Sequence, residues 1–414
     1  MSGTTRAGSY RAVLLLPSAL RTFVPALLGR LSYGLLPLSL LFTVQSSTGS
    51  FATAGVAVAV FGAASLSMPF KARLVDRFSQ RRVLPLLAVG ASAGLVVVAT
   101  VGTSAPAVLL FVGATGLLAP PLGPSMRSNW RLLTDGSALK ERAYALDAVS
   151  EECLFLAGPL IAGTLMSIVS APAALCGSAA LMLVGTLAMV TSPVTTRTAA
   201  PVAVAGAAAR LGPLAIRGLR RVLVVVMGAA CGLSMAYVCV AGVAQRAGHP
   251  GSAGYVEAAI ALGSVAGGLL WARRTHTGPW TTQLAGLIAV LAAGLVVAAF
   301  APGLLVLGVV LGIAGVAVAP MFVVAYLAAD EVTPPHQRTE ASTWINTTNN
   351  LGSAAGAALA GLVVDRSTPT WGFLAGGTFL ALVALAVLRR PTGGRSWLRR
   401  GGRLGPGRPG GRRR

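Results

Sequence analysis

The chain has 414 residues, 55% hydrophobic and 11% charged, with a mean hydropathy of +0.76. An ordinary soluble domain carries about 25% charged residues, so these values exclude a water-soluble enzyme and define an all-α polytopic membrane protein. The net charge of +22 is not a nucleic-acid signature: ten of the 33 basic residues follow residue 388, in an Arg/Gly/Pro-rich tail whose one aromatic is Trp397, whereas RNA recognition wants interleaved aromatics for stacking.

A membrane span needs about 20 mostly apolar residues. Residues 1–21 read as a retained cytoplasmic N-terminus, because Pro17 and Arg21 break the resemblance to a signal peptide. Twelve spans are expected, at 22–43, 51–70, 83–102, 105–126, 148–169, 171–191, 222–244, 251–271, 282–300, 302–326, 342–364 and 370–388. Residues 192–221 form a central cytoplasmic loop between an N-terminal six-helix half (22–191) and a C-terminal one (222–388). Residues 389–414 form a basic cytoplasmic tail suited to anionic lipid headgroups.

Between spans 2 and 3 lies Lys71-Ala72-Arg73-Leu74-Val75-Asp76-Arg77-Phe78-Ser79-Gln80-Arg81-Arg82, a charged stretch that reads as a short loop. With the N-terminus inside, the inner segments hold 30 of the 33 basic residues; the outer loops hold only Arg246 and Arg366, and Arg30 lies within span 1. The positive-inside rule then places both termini in the cytoplasm.

The halves repeat each other. Glu151-Glu152, Gly158 and Gly163 of span 5 correspond to Asn349-Asn350, Gly356 and Gly361 of span 11, and Gly116 and Pro121 of span 4 to Gly315 and Pro320 of span 10. The charged stretch has a worn counterpart at 268–274, with Ala272 in the place of Asp76. Two related six-span halves indicate a carrier that rocks around a central cavity. The chain resembles the major facilitator superfamily over roughly residues 15–390. Leu74, Asp76, Arg77, Arg81 and Arg82 match the family's signature between spans 2 and 3, while Ala72 and Ser79 stand where glycine is usual. The run Gly158-Pro159-Leu160-Ile161-Ala162-Gly163 is similar to the motif of the family's antiporters, with Ala162 replacing a glycine. The resemblance implies a conformational latch in which Asp76 meets the start of span 11 and Arg77, Arg81 and Arg82 share a charge network. It also implies two six-helix halves related by pseudo-two-fold symmetry.

Polar groups inside the membrane are functional candidates by default. A buried carboxylate that exchanges cationic partners is the chemistry of proton coupling, so Glu152 and Glu151, with Arg30 and Arg127 as their cations, are the coupling candidates, Glu152 being preferred. Arg30 reads equally as a charge that locks helices together. Pro120, Pro121 and Pro124 are expected to kink span 4 and re-aim Arg127. The substrate-cavity candidates are Arg30, Tyr33, Glu257, Met321, Asn346, Asn349 and Asn350, the asparagines forming one stripe at i, i+3, i+4. Trp344 is a further candidate contact; helix packing is the competing reading for Tyr33, Trp344, Met321 and the asparagines, and hydration near the outer surface is the competing reading for Glu257.

Cys153, Cys176, Cys231 and Cys239 are expected to be small buried residues, and neither they nor the three scattered histidines have metal-ligand spacing. No metal or cofactor is expected. The expected partners are a small organic solute, protons and the bilayer, and the expected state is a monomer. Usage of 31 Arg against 2 Lys points to a GC-rich bacterial, actinobacterium-like genome. The sequence is thus read as a secondary active transporter of the cytoplasmic membrane, exporting a drug-like or metabolite compound by proton antiport. Proton-coupled import and a transport-inactive receptor or scaffold are the alternatives.

Overall fold

A computed structural model describes residues 10–101, 104–135, 137, 139–196, 212–272, 278–334 and 338–389. Ten helical units are long and apolar enough to cross a membrane. Two more, carrying charge or a polar stripe, complete the twelve: Phe51–Ala63 continuing through a 3-10 turn into Met68–Phe78, and Arg338–Arg366. Span 1 is Ala19–Thr48, span 3 Gln80–Thr100, span 5 Lys140–Ile168, span 6 Ala171–Val190, span 7 Arg217–Arg246, span 8 Ser252–Ala272, span 9 Trp280–Ala298 and span 12 Pro369–Leu388. Several connections are only a few residues long, which forces their neighbours antiparallel. Gly49, in the left-handed region at φ 70°, ends span 1, and Ser50 caps span 2 by accepting from the Thr53 N–H.

Spans 4 and 10 are each broken, into Ala105–Leu118 and Leu122–Leu133, and into Leu304–Gly315 and Val318–Val332. The break in span 4 falls at Pro120 and Pro121. A proline removes the N–H that would bond the carbonyl four residues back, and here other donors replace it. The Lys71 ammonium donates to Gly116 O (3.2 Å) and Ala119 O (2.9 Å), and the Tyr33 hydroxyl to Pro120 O (2.6 Å), the carbonyl deprived by Pro124.

The repeat is structural. Gly158 lets span 5 touch the backbone of span 1 at Gly34, and its counterpart Gly356 lets span 11 touch span 7 at Cys231. Gly163 meets Gly251 and Gly254 of span 8, and its counterpart Gly361 meets Phe51 and Ala52 of span 2. A Cβ at any of these four would strike backbone. Spans 2 and 11, and spans 5 and 8, are thus the two seams between the halves. Both seams are tightest on the face bearing the connections at 49–50, 169–170, 247–251 and 367–368, here the distal face. Along the 2/11 seam the gap widens toward the face of the chain termini: Gly55 abuts Ala357 backbone, whereas a Cβ at Gly62 would sit 3.7 Å from Ala354.

The charged stretch is not the expected loop. Residues 71–78 are helical, Ser79 alone interrupts, and Gln80 begins span 3. Ser79 holds φ 77°, ψ 151°, a region kept for glycine. Glycine in the family signature is therefore explained here by backbone conformation and not by close packing. Replacing Ser79 with glycine is expected to stabilise the protein by about 1 kcal/mol, read as a raised unfolding midpoint of the detergent-purified protein; an unchanged midpoint removes the strain argument.

Expectations also fail at two smaller points. Span 5 starts at Lys140 rather than 148, because its charged first turns still form helix at the membrane edge. Cys231 and Cys239 are buried, but Cys153 is exposed on span 5.

A four-residue charge network as candidate functional site

Span 5 carries Asp147 and Glu151 four residues apart, hence on one helix face. Span 1 brings Arg30 against them, and the second segment of span 4 brings Arg127. Arg30 Nη1 donates to Asp147 Oδ1 at 2.7 Å, and its Nη2 lies 2.8 Å from Glu151 Oε2 in a geometry that pairs charges without aligning a hydrogen bond. Arg127 Nη2 donates to the same Glu151 oxygen at 3.1 Å, and its Nε is 3.7 Å from Asp147 Oδ2. Two guanidinium groups and two carboxylates alternate around one neutral cluster, closed within the N-terminal half.

Exposure divides the cluster. Arg30 and Asp147 are 5% and 2% exposed, whereas Glu151 and Arg127 are 32% and 49% exposed. The inner pair is shut away from solvent and the outer pair meets it.

Asp147 was missed because the expected start of span 5 fell one residue after it. The signal was available: an acid four residues before Glu151 selects Glu151 over Glu152 as the member sharing its face. Glu152 itself lies outside the described side chains, as does Asp76.

The other candidates are scattered. Glu257 is half-buried in span 8. Tyr33 serves the span 4 break. Met321 is 2% exposed in the core, and Trp344 packs against that core. Asn346 accepts from the Tyr326 hydroxyl of span 10 at 2.8 Å, Asn350 donates to Ser65 Oγ of span 2 across the seam at 3.1 Å, and Asn349 is half-buried between them.

The members of the charged stretch hold the N-terminal half together. Arg81 donates to Val190 O (3.0 Å) and Thr191 O (3.4 Å) at the carbonyl end of span 6, where a cation complements the helix dipole. Arg77 lies over the Phe78 ring at 5.2 Å, and Arg82 is exposed. Lys71, counted among loop charges from sequence, is 6% exposed. The counterpart residue Ala272 lies outside the described side chains, and residues 1–9 and 390–414, with all but one residue of the basic tail, lie outside the described residues.

Across the described residues no cluster of His, Cys, Asp or Glu is arranged to hold a metal. Two broken helices, two seams of glycine backbone between six-span halves and a half-buried charge cluster among the spans fit a solute carrier. The model of the Major Facilitator Superfamily matches residues 22–312 and 222–408, and the chain belongs to that family. No curated protein matches it by sequence. Among solved structures it is similar to the nucleoside transporter NupG (TM-score 0.71, 17% identity, 89% of this chain and 98% of that one). It is also similar to a peptide transporter POT (TM-score 0.65, 16% identity, 89% and 93%) and to the human organic anion transporter MFSD10, or TETRAN (TM-score 0.57, 20% identity, 91% and 99%). At these identities the likeness carries the fold alone. The chain is a multi-pass membrane transporter of a small molecule.

Proposed function

We propose that the protein exports a small organic solute across the cytoplasmic membrane by proton antiport, with Glu151 as the proton-carrying group and Arg30, Asp147 and Arg127 as its partners. The observation that carries this reading is the position of Glu151: a half-exposed carboxylate whose single oxygen serves two guanidinium groups, beside a buried pair that holds the rest in place. The basic residues of the inner segments assign the terminal face to the cytoplasm, so the arrangement described above is inward-facing. In that state Glu151 has released its proton to the cytoplasm and is held by both arginines, and the carrier is ready to accept solute. After the halves rock, the more acidic exterior protonates Glu151, frees Arg127 and favours solute release. The Asp76 segment closes the cytoplasmic side in that opposite state by meeting the start of span 11. The Asp-x-x-x-Glu spacing of Asp147 and Glu151 is what favours Glu151 in this reading; the Glu152 side chain lies outside the described ones.

Proteoliposomes with an imposed pH gradient and a panel of candidate solutes test the reading. Glu151→Gln is expected to abolish gradient-driven accumulation while leaving solute exchange at equal pH on both sides. Wild-type uphill accumulation in that variant removes Glu151 from the coupling.

A further inference from the structure

Glu257 belongs to neither the charge network nor either seam. Among the described residues it makes no ion pair and no hydrogen bond, whereas Asp147 and Glu151 of the N-terminal half pair with Arg30 and Arg127. A membrane-depth carboxylate without a protein cation is held neutral or balanced by a bound cation, and is a functional candidate either way.

Its direction follows from the helix. Tyr255, Leu262 and Leu269 are 46%, 57% and 62% exposed and mark the lipid-facing side of span 8. At about 100° per residue, Glu257 stands some 200° from Tyr255, on the interior side. Its neighbours one turn back and one turn on, Ala253 and Ile260, are buried. It nevertheless keeps partial exposure, so it borders open space inside the protein.

Its depth is equally specific. Gly254, one turn earlier, lies against the Pro159 carbonyl and Gly163 in the 5/8 seam. Glu257 therefore sits immediately beneath the distal seal, at the closed end of the space that widens toward the termini. A group bound there changes sides when that seam opens. Tyr237 of span 7 packs against the core.

We infer that Glu257 is the solute-recognising carboxylate of this carrier and that the solute carries a protonated amine or quaternary nitrogen. The inference rests on the reading of the chain as an alternating-access carrier and deepens it. The Arg30, Arg127, Asp147 and Glu151 cluster in the other half is neutral as a set, so a carboxylate that is unpaired among the described residues selects cations and disfavours anions.

The test uses the full-length protein in detergent and a graded series of alkyl diamines carrying dansyl on one nitrogen and a free amine at the other end, each paired with the form N-acetylated at that free amine and so uncharged. Fluorescence anisotropy is expected to show at least one amine binding about tenfold or more tighter than its acetylated partner. Glu257→Gln should level the two, and Glu257→Asp should restore the preference. Covalent labelling of wild-type Glu257 by dicyclohexylcarbodiimide, read by peptide mass spectrometry, should be blocked by the amine and not by the acetylated form, which keeps the test independent of how the variants fold. No preference for the cation anywhere in the series, an undiminished preference in Glu257→Gln, or labelling that the amine fails to block overturns the inference. Amine preference should persist in Glu151→Gln, so the recognition role of Glu257 and the coupling role of Glu151 fail separately.

Discussion

Asp147→Ala is expected to remove most of the protein from the membrane. It takes from the Arg30 guanidinium, 5% exposed, its one buried carboxylate and its aligned hydrogen bond, leaving Glu151, 2.8 Å away and shared with Arg127, as the remaining counter-charge. Removing one partner of a buried pair costs about 3–5 kcal/mol, because the remaining charge stays desolvated. That is a large fraction of the 5–15 kcal/mol by which proteins of ordinary stability are held. The double variant Arg30→Leu with Asp147→Ala removes both charges and is expected to recover membrane levels. Quantitative immunoblotting of membranes, with size-exclusion profiles of the solubilised protein, reads both variants. Wild-type levels in the single variant, or equal loss in both, would show that the pair does not lock spans 1 and 5.

Asp365→Ala is expected to open the distal face. From the last turn of span 11, Asp365 accepts three hydrogen bonds from the start of span 2 in the other half: Ser50 Oγ (2.5 Å), Phe51 N (2.7 Å) and Ala52 N (2.8 Å). This is a helix N-cap supplied across the seam, with the carboxylate also facing the positive end of the helix dipole. Arg246 fixes the element that bears it, donating to Ser367 O at 2.8 Å and reaching Val364 O at 3.5 Å. Loss of such a cap costs about 0.5–2 kcal/mol, and 1–2 kcal/mol shifts a two-state equilibrium about 5–30-fold. The shift runs toward the state in which the distal seams are parted. Spin labels on the ends of spans 2 and 11 should report a longer-distance population that is minor in the wild type. Superimposable distance distributions would mean that the glycine seams alone hold this face. With Ala272 in place of the acid, the cytoplasmic latch expected from the charged stretch is carried by the N-terminal half alone. Asp365 supplies a clasp on the other face with different residues.

The architecture was legible from a few physical signals. Long apolar runs separated by basic clusters gave twelve spans, and the common offset of the glycine pairs marked equivalent contacts in each half: Gly158 and Gly356 inside a half, Gly163 and Gly361 at the seams between halves. Prolines at 120, 121 and 124 marked the break in span 4. The site was less legible, because hydropathy ends a span at the first charge. Asp147 fell outside the expected span 5 for that reason, and Lys71 was assigned to solvent although it is buried on the Gly116 and Ala119 carbonyls at the break in span 4. The preference for Glu152 over Glu151 came from depth alone; the spacing from Asp147 would have reversed it. The clasp at Asp365 pairs residues more than 300 positions apart, and only the folded arrangement brings them together.

The pairing of Arg30 with Asp147 also bears on how the chain is made. The two residues are 117 positions apart. At about 5–20 residues per second of synthesis, span 1 waits roughly 6–23 seconds before its counter-charge exists. During that interval Arg30 must be carried by the surrounding apolar residues, by water near the membrane edge, or by the insertion machinery itself. The first span is therefore the vulnerable one in biogenesis, and its commitment to the bilayer completes only when span 5 emerges beside it.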